Sequence, residues 1–332
     1  MTPFLLVFVP PATLLLAATF SGPALLLPGF VLFVVVPTLD HLLPVNPENL
    51  PSPRWVGGLA QAFVPVHLGA LATMLWSVAS GRLGPIELAL LVVGSGFASA
   101  AAINVAHELM HRAGRREQVL SAVLMASVAY AHFCVEHVHG HHKRVGTRDD
   151  PATSRLGEPL YAFLPRSLLG GAISAWRIEH ARVGLAPSNR MLRYGLGQSL
   201  LLVAIGVGLG PVALGAFLGQ AAVAVGMLET INYIEHYGLV RTETALGRPE
   251  RVRPEHSWNS SHRVSNWMLL NLARHSDHHA FAARPFTELR HYEDVPQLPS
   301  GYSAMLMLAT VPPLWFRVMN PRVAALAARS SG

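Results

Sequence analysis

The chain has 332 residues, of which 51% are hydrophobic and only 13% charged, and its mean hydropathy is +0.37. That balance is typical of a protein that lies largely in lipid. The net charge of +6 and the pI of about 10.0 do not indicate nucleic-acid binding, because the basic residues border apolar runs without interleaved base-stacking aromatics. The single cysteine, Cys134, excludes an intrachain disulfide and any Cys-x-x-Cys centre.

Six apolar runs predict membrane-spanning helices, since several reach the roughly 20 residues that a helix needs to cross a bilayer core. In chain order they are 4–20, 24–39, 57–79, 84–106, 196–209 and 211–234. We therefore predict an all-α integral membrane protein, a single domain over 1–332 with six transmembrane helices in three hairpins. The first run lacks the basic residues that open a secretory signal, so it is expected to stay as a signal-anchor.

The run at 119–134 is too short to be a clear seventh span, and we expect a re-entrant or interfacial segment there. Lysine and arginine in short loops predict which side of the membrane each loop faces. The turns near Ser21 and Gly210 carry none, whereas the stretch between the fourth and fifth spans carries many, with Arg82 as the lone exception elsewhere. The termini and the segments 107–193 and 235–332 are therefore predicted to be cytoplasmic.

Histidines cluster at the ends of these runs, on the side predicted to be cytoplasmic. Four motifs hold most of them: HELMHR (107–112), EHVHGHH (136–142), NYIEHYGL (232–239) and RHSDHH (274–279). Histidines spaced by three to five residues can project from one side of a helix, so each cluster can offer imidazole nitrogens to one point. The isolated residues His41, His67, His180 and His291 are expected to be structural or interfacial.

Taken alone, HELMHR matches the His-Glu-x-x-His signature of zinc proteases. A protease would need His107, His111 and one further ligand, which leaves the other clustered histidines unexplained. Nine imidazoles are too many for one zinc ion, whereas two metal ions would use them all, and imidazole suits iron as well as zinc. The motifs therefore favour a two-metal site over a protease.

The four motifs, in this order, resemble those of the integral-membrane alkane 1-monooxygenases, which are relatives of the membrane fatty-acid desaturases and of xylene monooxygenases. The similarity continues through DPATSRLGE (150–158), HSWNSSHRVSN (256–266), QLPSGY (297–302) and PPLWFRVMNPRV (312–323). NYIEHYGL resembles the alkane and xylene hydroxylases in particular, because desaturases share only the other three motifs.

The resemblance implies O2-dependent terminal hydroxylation of medium- or long-chain n-alkanes to 1-alkanols at a non-haem di-iron centre. It also implies electrons from rubredoxin, with a rubredoxin reductase upstream, and a place in the bacterial inner membrane with the active site facing the cytoplasm. The iron ligands that it implies are His107, His111, His137, His141, His142, His236, His275, His278 and His279. His139 lies outside the family pattern.

Neutral imidazoles leave the metal charge uncompensated, so carboxylates are expected beside the ligands, where they would orient the rings. The acidic neighbours in sequence are Glu108, Glu136, Glu235 and Asp277. The competing interpretation is that they pair with nearby arginines. His132, His256 and His262 are expected to be structural or to contact the ligands.

The chain contains neither a dinucleotide-binding glycine fingerprint nor a cysteine pair for a rubredoxin-type iron, so its electrons are expected to come from a partner. Arg144, Arg148, Arg166 and Arg177 are predicted to steer an acidic electron carrier. Two alternatives stay open: a fatty-acyl desaturase, decarboxylase or aromatic-methyl monooxygenase on the same scaffold, and, more remotely, an intramembrane zinc protease or a transporter.

Overall fold

The computed structural model describes residues 2–49 and 52–330, and the described residues form helices joined by turns and irregular segments, with no β-strand among them. The longer helices are α1 (Pro3–Phe20), α2 (Gly22–Leu42), α3 (Trp55–Ala79), α4 (Pro85–Met110), α5 (Arg115–Ala126), α6 (Leu160–Val183), α7 (Arg190–Leu209), α8 (Pro211–His236), α9 (Tyr302–Ala309) and α10 (Pro312–Ser330). Six of them, α1 to α4, α7 and α8, are long and apolar enough to cross a membrane, which confirms the predicted all-α membrane architecture.

Two of the spans extend at one end by four residues or more beyond their predicted bounds. Helix α7 begins at Arg190, six residues before the predicted start, because the Asn189 side chain caps it by accepting hydrogen bonds from the backbone N–H groups of Met191 and Leu192. Helix α4 continues to Met110, four residues beyond its predicted end. Hydropathy misses both extensions because they carry polar residues.

The segment of marginal length is re-entrant. Helix α5 runs back along α4, where the Ser121 hydroxyl donates to the carbonyl of Ala106, and the chain then turns at Ala129, whose φ is 53°. Ser127, at the end of α5, contacts His67 and Gln220, which lie near the middle of α3 and α8. The chain therefore runs with α5 to the level of the middle of these spans, turns there and returns to the end from which it came.

The turn of this hairpin lies where no water reaches the backbone, so its polar groups need partners within the protein. The Gln220 side-chain amide donates to the Ser127 carbonyl at 2.9 Å, and the Ser127 hydroxyl lies 3.2 Å from His67 Nε2. His67, which was expected to be structural, thus supports the re-entrant turn.

Small residues of α4 serve two purposes. A Cβ added at Gly96 would overlap Val223 of α8, and one at Gly219 would lie 2.8 Å from the Val92 side chain, so α4 and α8 approach each other closely. Further along α4, Ala100 and Ala101 face a cavity instead. The run of small residues therefore brings two helices together and also leaves space between the spans.

Segments after α8 cover the end of the bundle where the histidines lie. Asp40, near the end of α2, accepts hydrogen bonds from the backbone N–H groups of Val264 and Ser265 and so caps the short helix Arg263–Met268. The buried Arg274 donates to the carbonyls of Asn46, Glu48 and Leu289. These bonds fix the short helix His275–Ala280 against the spans.

Candidate metal centre

Each histidine cluster is carried by an element that aims its imidazoles at one region. His107 lies in the last turn of α4, and His111 is the residue that caps its C-terminus. His236 is the last residue of α8, and the short helix His275–Ala280 carries three more. Because α4 and α8 pack side by side, their ends bring these imidazoles together.

The second motif forms a turn of π-helix over His137–His141, between short α-helical pieces. A π turn inserts one residue into the helical repeat, and such turns occur frequently at functional sites. His137, His141 and His142 all contact other clustered histidines as a result. Gly140 lets two side chains lie close to the backbone of this turn, since a Cβ there would lie 2.5 Å from the Glu136 carboxylate and 2.6 Å from the Arg144 guanidinium.

The nine histidines predicted as ligands fall into two groups, each able to hold one metal ion. His107, His111, His137, His142 and His278 form one group, and His141, His236, His275 and His279 form the other. Within each group the ligand nitrogens all lie within 4.8 Å of one another. His139 belongs to neither group.

The spacing of the ring nitrogens fits metal ligation. Nitrogens at right angles around an ion and 2.0–2.1 Å from it would lie about 2.9 Å apart. His137 Nε2 lies 2.6 Å from His107 Nε2 and 2.9 Å from His142 Nε2, and His278 Nε2 lies 3.1 Å from His142 Nε2. These nitrogens converge as metal ligands do.

The protonation state of the rings agrees with this arrangement. Burial, together with repulsion from neighbouring imidazoles, lowers the pKa of His278 and of His279 well below the usual range, so both rings are neutral at physiological pH. Both ring nitrogens of His236 and of His279 are buried without a hydrogen-bond partner among the described residues. Buried polar atoms without partners are costly, and a bound metal ion would satisfy them.

Two carboxylates contact the histidines, and both serve the four-histidine group. Asp150 Oδ2 accepts a hydrogen bond from His141 Nδ1 at 2.9 Å, which leaves His141 Nε2 to face the other rings. Glu235 Oε2 lies 3.1 Å from His275 Nε2, while its other oxygen accepts a hydrogen bond from the Tyr302 hydroxyl. The five-histidine group has no such carboxylate contact within the described part of the chain.

Of the four acidic residues predicted beside the ligands, only Glu235 contacts one of the nine histidines. Glu108 pairs with Arg112 at 2.5 Å and Glu136 with Arg144 at 2.8 Å. Asp277 accepts hydrogen bonds from Arg284, from the Tyr292 hydroxyl and from the backbone N–H of Arg290. These three pairings follow the competing interpretation, in which the acids bind nearby arginines.

Asp150 was not predicted beside the ligands, because it does not adjoin a histidine motif in the sequence. Its position nine residues after His141 gave a weak signal, although it opens the DPATSRLGE block. Thr153 donates to Asp150 Oδ2 at 2.6 Å and the Ala152 N–H donates to Oδ1, so a tight turn holds the carboxylate in place.

The three further histidines of this region lie outside both groups. His256 Nδ1 accepts a hydrogen bond from the Arg253 N–H, and His262 contacts the Ser260 hydroxyl. His132 Nε2 is buried without a partner among the described residues, and His132 and His141 both line a small pocket. The first two have structural contacts, as expected.

An apolar cavity leads from the spans to the two histidine groups. It is lined by side chains of α1, α2, α4 and α8, by Phe133 and His137, and by side chains of the segment after α8. Phe97, Ala101 and Ile231 belong to its apolar wall, and His107, His137 and His275 close its inner end. A hydrocarbon chain in this cavity would reach residues of both groups.

Comparison with known proteins gives matches over most of the chain. Residues 83–309 match the family of fatty acid desaturases. The chain is 43% identical to alkane 1-monooxygenase 1 of Pseudomonas aeruginosa over 318 residues, which cover 88% of this chain and 81% of that protein. It is 38% identical to the alkane 1-monooxygenase of Acinetobacter baylyi, over 88% of this chain and 75% of that protein. The hydroxylase component of a Pseudomonas putida xylene/toluene monooxygenase is 28% identical, over 88% of this chain and 80% of that protein.

Proposed function

The chain belongs to the alkane 1-monooxygenases within the fatty acid desaturase family, and on that premise we propose that it hydroxylates the terminal carbon of medium- or long-chain n-alkanes. The observation that carries this proposal is the apolar cavity closed at its inner end by histidines of both groups. An alkane has no polar handle, so the shape and depth of such a cavity must position the methyl group.

We propose two iron ions as the metals, one in each histidine group. Imidazole nitrogens suit iron, and five and four ligands leave each ion with an open position. When bound, such a pair would reduce dioxygen and supply the oxidant that hydroxylates an unactivated C–H bond. The nine histidines would be its ligands.

The protein positions the ligands and excludes water. Asp150 holds the Nδ1 proton of His141, and this fixes the tautomer in which Nε2 is free to ligate. Glu235, held by Tyr302, lies against Nε2 of His275 and would hold that ring in place by contact rather than by a hydrogen bond. The apolar wall of the cavity keeps water away from the reacting methyl group, so that the oxidant is not consumed in side reactions with water.

The two sites would differ in charge, because the Asp150 carboxylate contacts a histidine of the four-histidine group and no carboxylate contacts the five-histidine group within the described part of the chain. An ion there would be partly neutralised, whereas the ion in the five-histidine group would keep its full positive charge. We expect the two ions to have different affinities and redox properties for this reason.

Electrons are proposed to come from rubredoxin, which a rubredoxin reductase would reduce. Of the four arginines predicted to steer this acidic carrier, Arg144 pairs with Glu136 and Arg166 with Glu158. Arg148 and Arg177 are exposed and form no ion pair with a residue of the described chain, so they support the docking proposal better. The orientation that places this face in the cytoplasm, at a bacterial inner membrane, rests on the distribution of basic loop residues.

The test is product analysis with purified protein, rubredoxin and its reductase, using octane and hexadecane. Formation of 1-octanol or 1-hexadecanol that requires O2 and both electron-transfer proteins is expected. An alkene product from a fatty-acyl substrate, or oxidation of xylene in preference to alkanes, would replace the proposal by one of the two related reactions. Absence of any oxygenated product from protein with both metals bound would contradict it.

A further inference from the structure

A second groove lies on the outside of the bundle, between the re-entrant helix α5 and the span α7. Its floor is apolar, with Val119 and Val123 of α5 facing Gly197 of α7. The three charged residues that line it are all arginines: Arg115, Arg190 and Arg193. It is separate from the cavity that reaches the histidines, and the two share no lining residue.

The charge of this groove is concentrated at one end. Arg115 is the first residue of α5, and Arg190 and Arg193 lie in the first turn of α7. Both helices begin at the end of the bundle where the histidines lie and descend toward mid-membrane, so their positive N-terminal dipoles also point at this mouth. Arg190 is neutralised by Glu179, whereas Arg115 and Arg193 are exposed.

The groove thus has a basic mouth at the membrane surface and an apolar floor inside the membrane. Gln198, deeper in the groove, has both side-chain amide atoms buried without a partner among the described residues. We propose that this groove binds one anionic phospholipid of the adjacent leaflet. Its phosphate would contact Arg115 and Arg193, and one acyl chain would lie along Val119 and Val123, with an ester group within reach of Gln198.

Such a lipid would support the metal centre indirectly. Ala131, which also lines the groove, belongs to the return limb of the re-entrant hairpin, six residues before His137. Helix α5 contacts α7 only loosely, so the lipid would fill the space that holds α5 and the return limb in place. Bound anionic lipid is therefore expected to stabilise the hairpin that carries His137, His141 and His142.

The experiment measures lipid binding by the full-length chain in detergent micelles, with phosphatidylglycerol and phosphatidylcholine as probes. Bound lipids are counted by native mass spectrometry, and Tm is followed over a lipid titration. The test variant is R115Q/R193Q. Its matched control is R116Q/R148Q, which removes two exposed arginines from the same end of the bundle without touching the groove. A third variant, V123W, fills the floor and leaves the charges unchanged.

We expect phosphatidylglycerol to bind more tightly than phosphatidylcholine and to raise Tm. Each arginine near an anionic headgroup contributes about fivefold in affinity, so R115Q/R193Q should weaken phosphatidylglycerol binding by roughly 25-fold while R116Q/R148Q stays within about twofold of the parent. V123W should weaken both lipids.

Three results would overturn the proposal. Equal binding of the two lipids would show that the arginines do not recognise an anionic headgroup. Equal losses in the two double variants would show that only general surface charge attracts the lipid. If V123W converts an oligomer to a monomer and leaves phosphatidylglycerol binding unchanged, the groove is occupied by a second copy of the chain.

Discussion

Replacing Asp150 by asparagine tests the support of the metal centre most sharply. The carboxylate is fully buried, accepts the His141 Nδ1 proton at 2.9 Å and also accepts from the Thr153 hydroxyl. Asparagine keeps the volume but removes the charge, and its NH2 group can face His141 only by opposing a ring N–H. In that orientation the ring is driven toward the tautomer with its proton on Nε2, the nitrogen that faces the other histidines. In the flipped orientation the amide oxygen still accepts the Nδ1 proton, but without the full charge, and the NH2 group opposes the Ala152 N–H that donates to Oδ1.

Loss of such a contact typically costs about 10- to 100-fold in metal affinity, or roughly 1.4 to 2.7 kcal/mol. We therefore expect D150N to lose metal preferentially from the four-histidine group. The assay is a chelator titration of iron-loaded protein, with the iron that remains bound measured by elemental analysis. The parent should release iron in two steps, and the first step should move to lower chelator concentration in D150N.

The neighbouring Asp149 is exposed, so D149N is the matched control and should behave like the parent. T153V removes a second partner of the carboxylate and leaves its charge, which separates damage to the turn from loss of the charge. Metal retention in D150N equal to that in D149N would refute the reasoning. So would an equal loss in T153V and D150N.

Three further substitutions test other parts of the account. In G96A the new methyl group would meet the Val223 side chain and the Gln220 carbonyl of α8, so we expect a cost of about 1–3 kcal/mol, seen as a lower Tm; an unchanged Tm would contradict the close approach of α4 and α8. Q220L leaves the Ser127 carbonyl without its donor inside the membrane, at a cost of about 1–3 kcal/mol, which thermal unfolding in detergent would detect. A101F narrows the cavity and should lower hexadecane turnover relative to octane turnover by roughly tenfold or more in a competition assay. An unchanged ratio of the two rates would show that Ala101 does not influence the preference for alkane length.

Much of the architecture was predictable because it depends on local composition. A helix that must cross a bilayer needs a long apolar run, so the six spans could be located directly. The histidine motifs were also visible, since residues that meet at one point from a single helix must recur at helical spacing. The re-entrant segment was predicted as one of two possibilities, because its length could not distinguish a re-entrant from an interfacial helix.

The contacts between distant segments were not predictable in this way. Asp150 binds His141 across a turn whose geometry depends on Thr153. No sequence pattern predicts such a turn. The acids beside the motifs had two possible partners, and the choice between arginine and histidine depends on how segments far apart in sequence pack, as for Asp277 and Arg284. The five-to-four division of the histidines likewise depends on the tertiary structure.

The central claim is that the two histidine groups hold two iron ions. The most direct measurement is the metal content of protein purified in detergent from iron-replete cells, with zinc counted alongside iron. Two histidine groups predict close to two irons per chain and little zinc. One zinc per chain without iron would contradict the account, because it would favour the zinc-protease interpretation of His107 and His111.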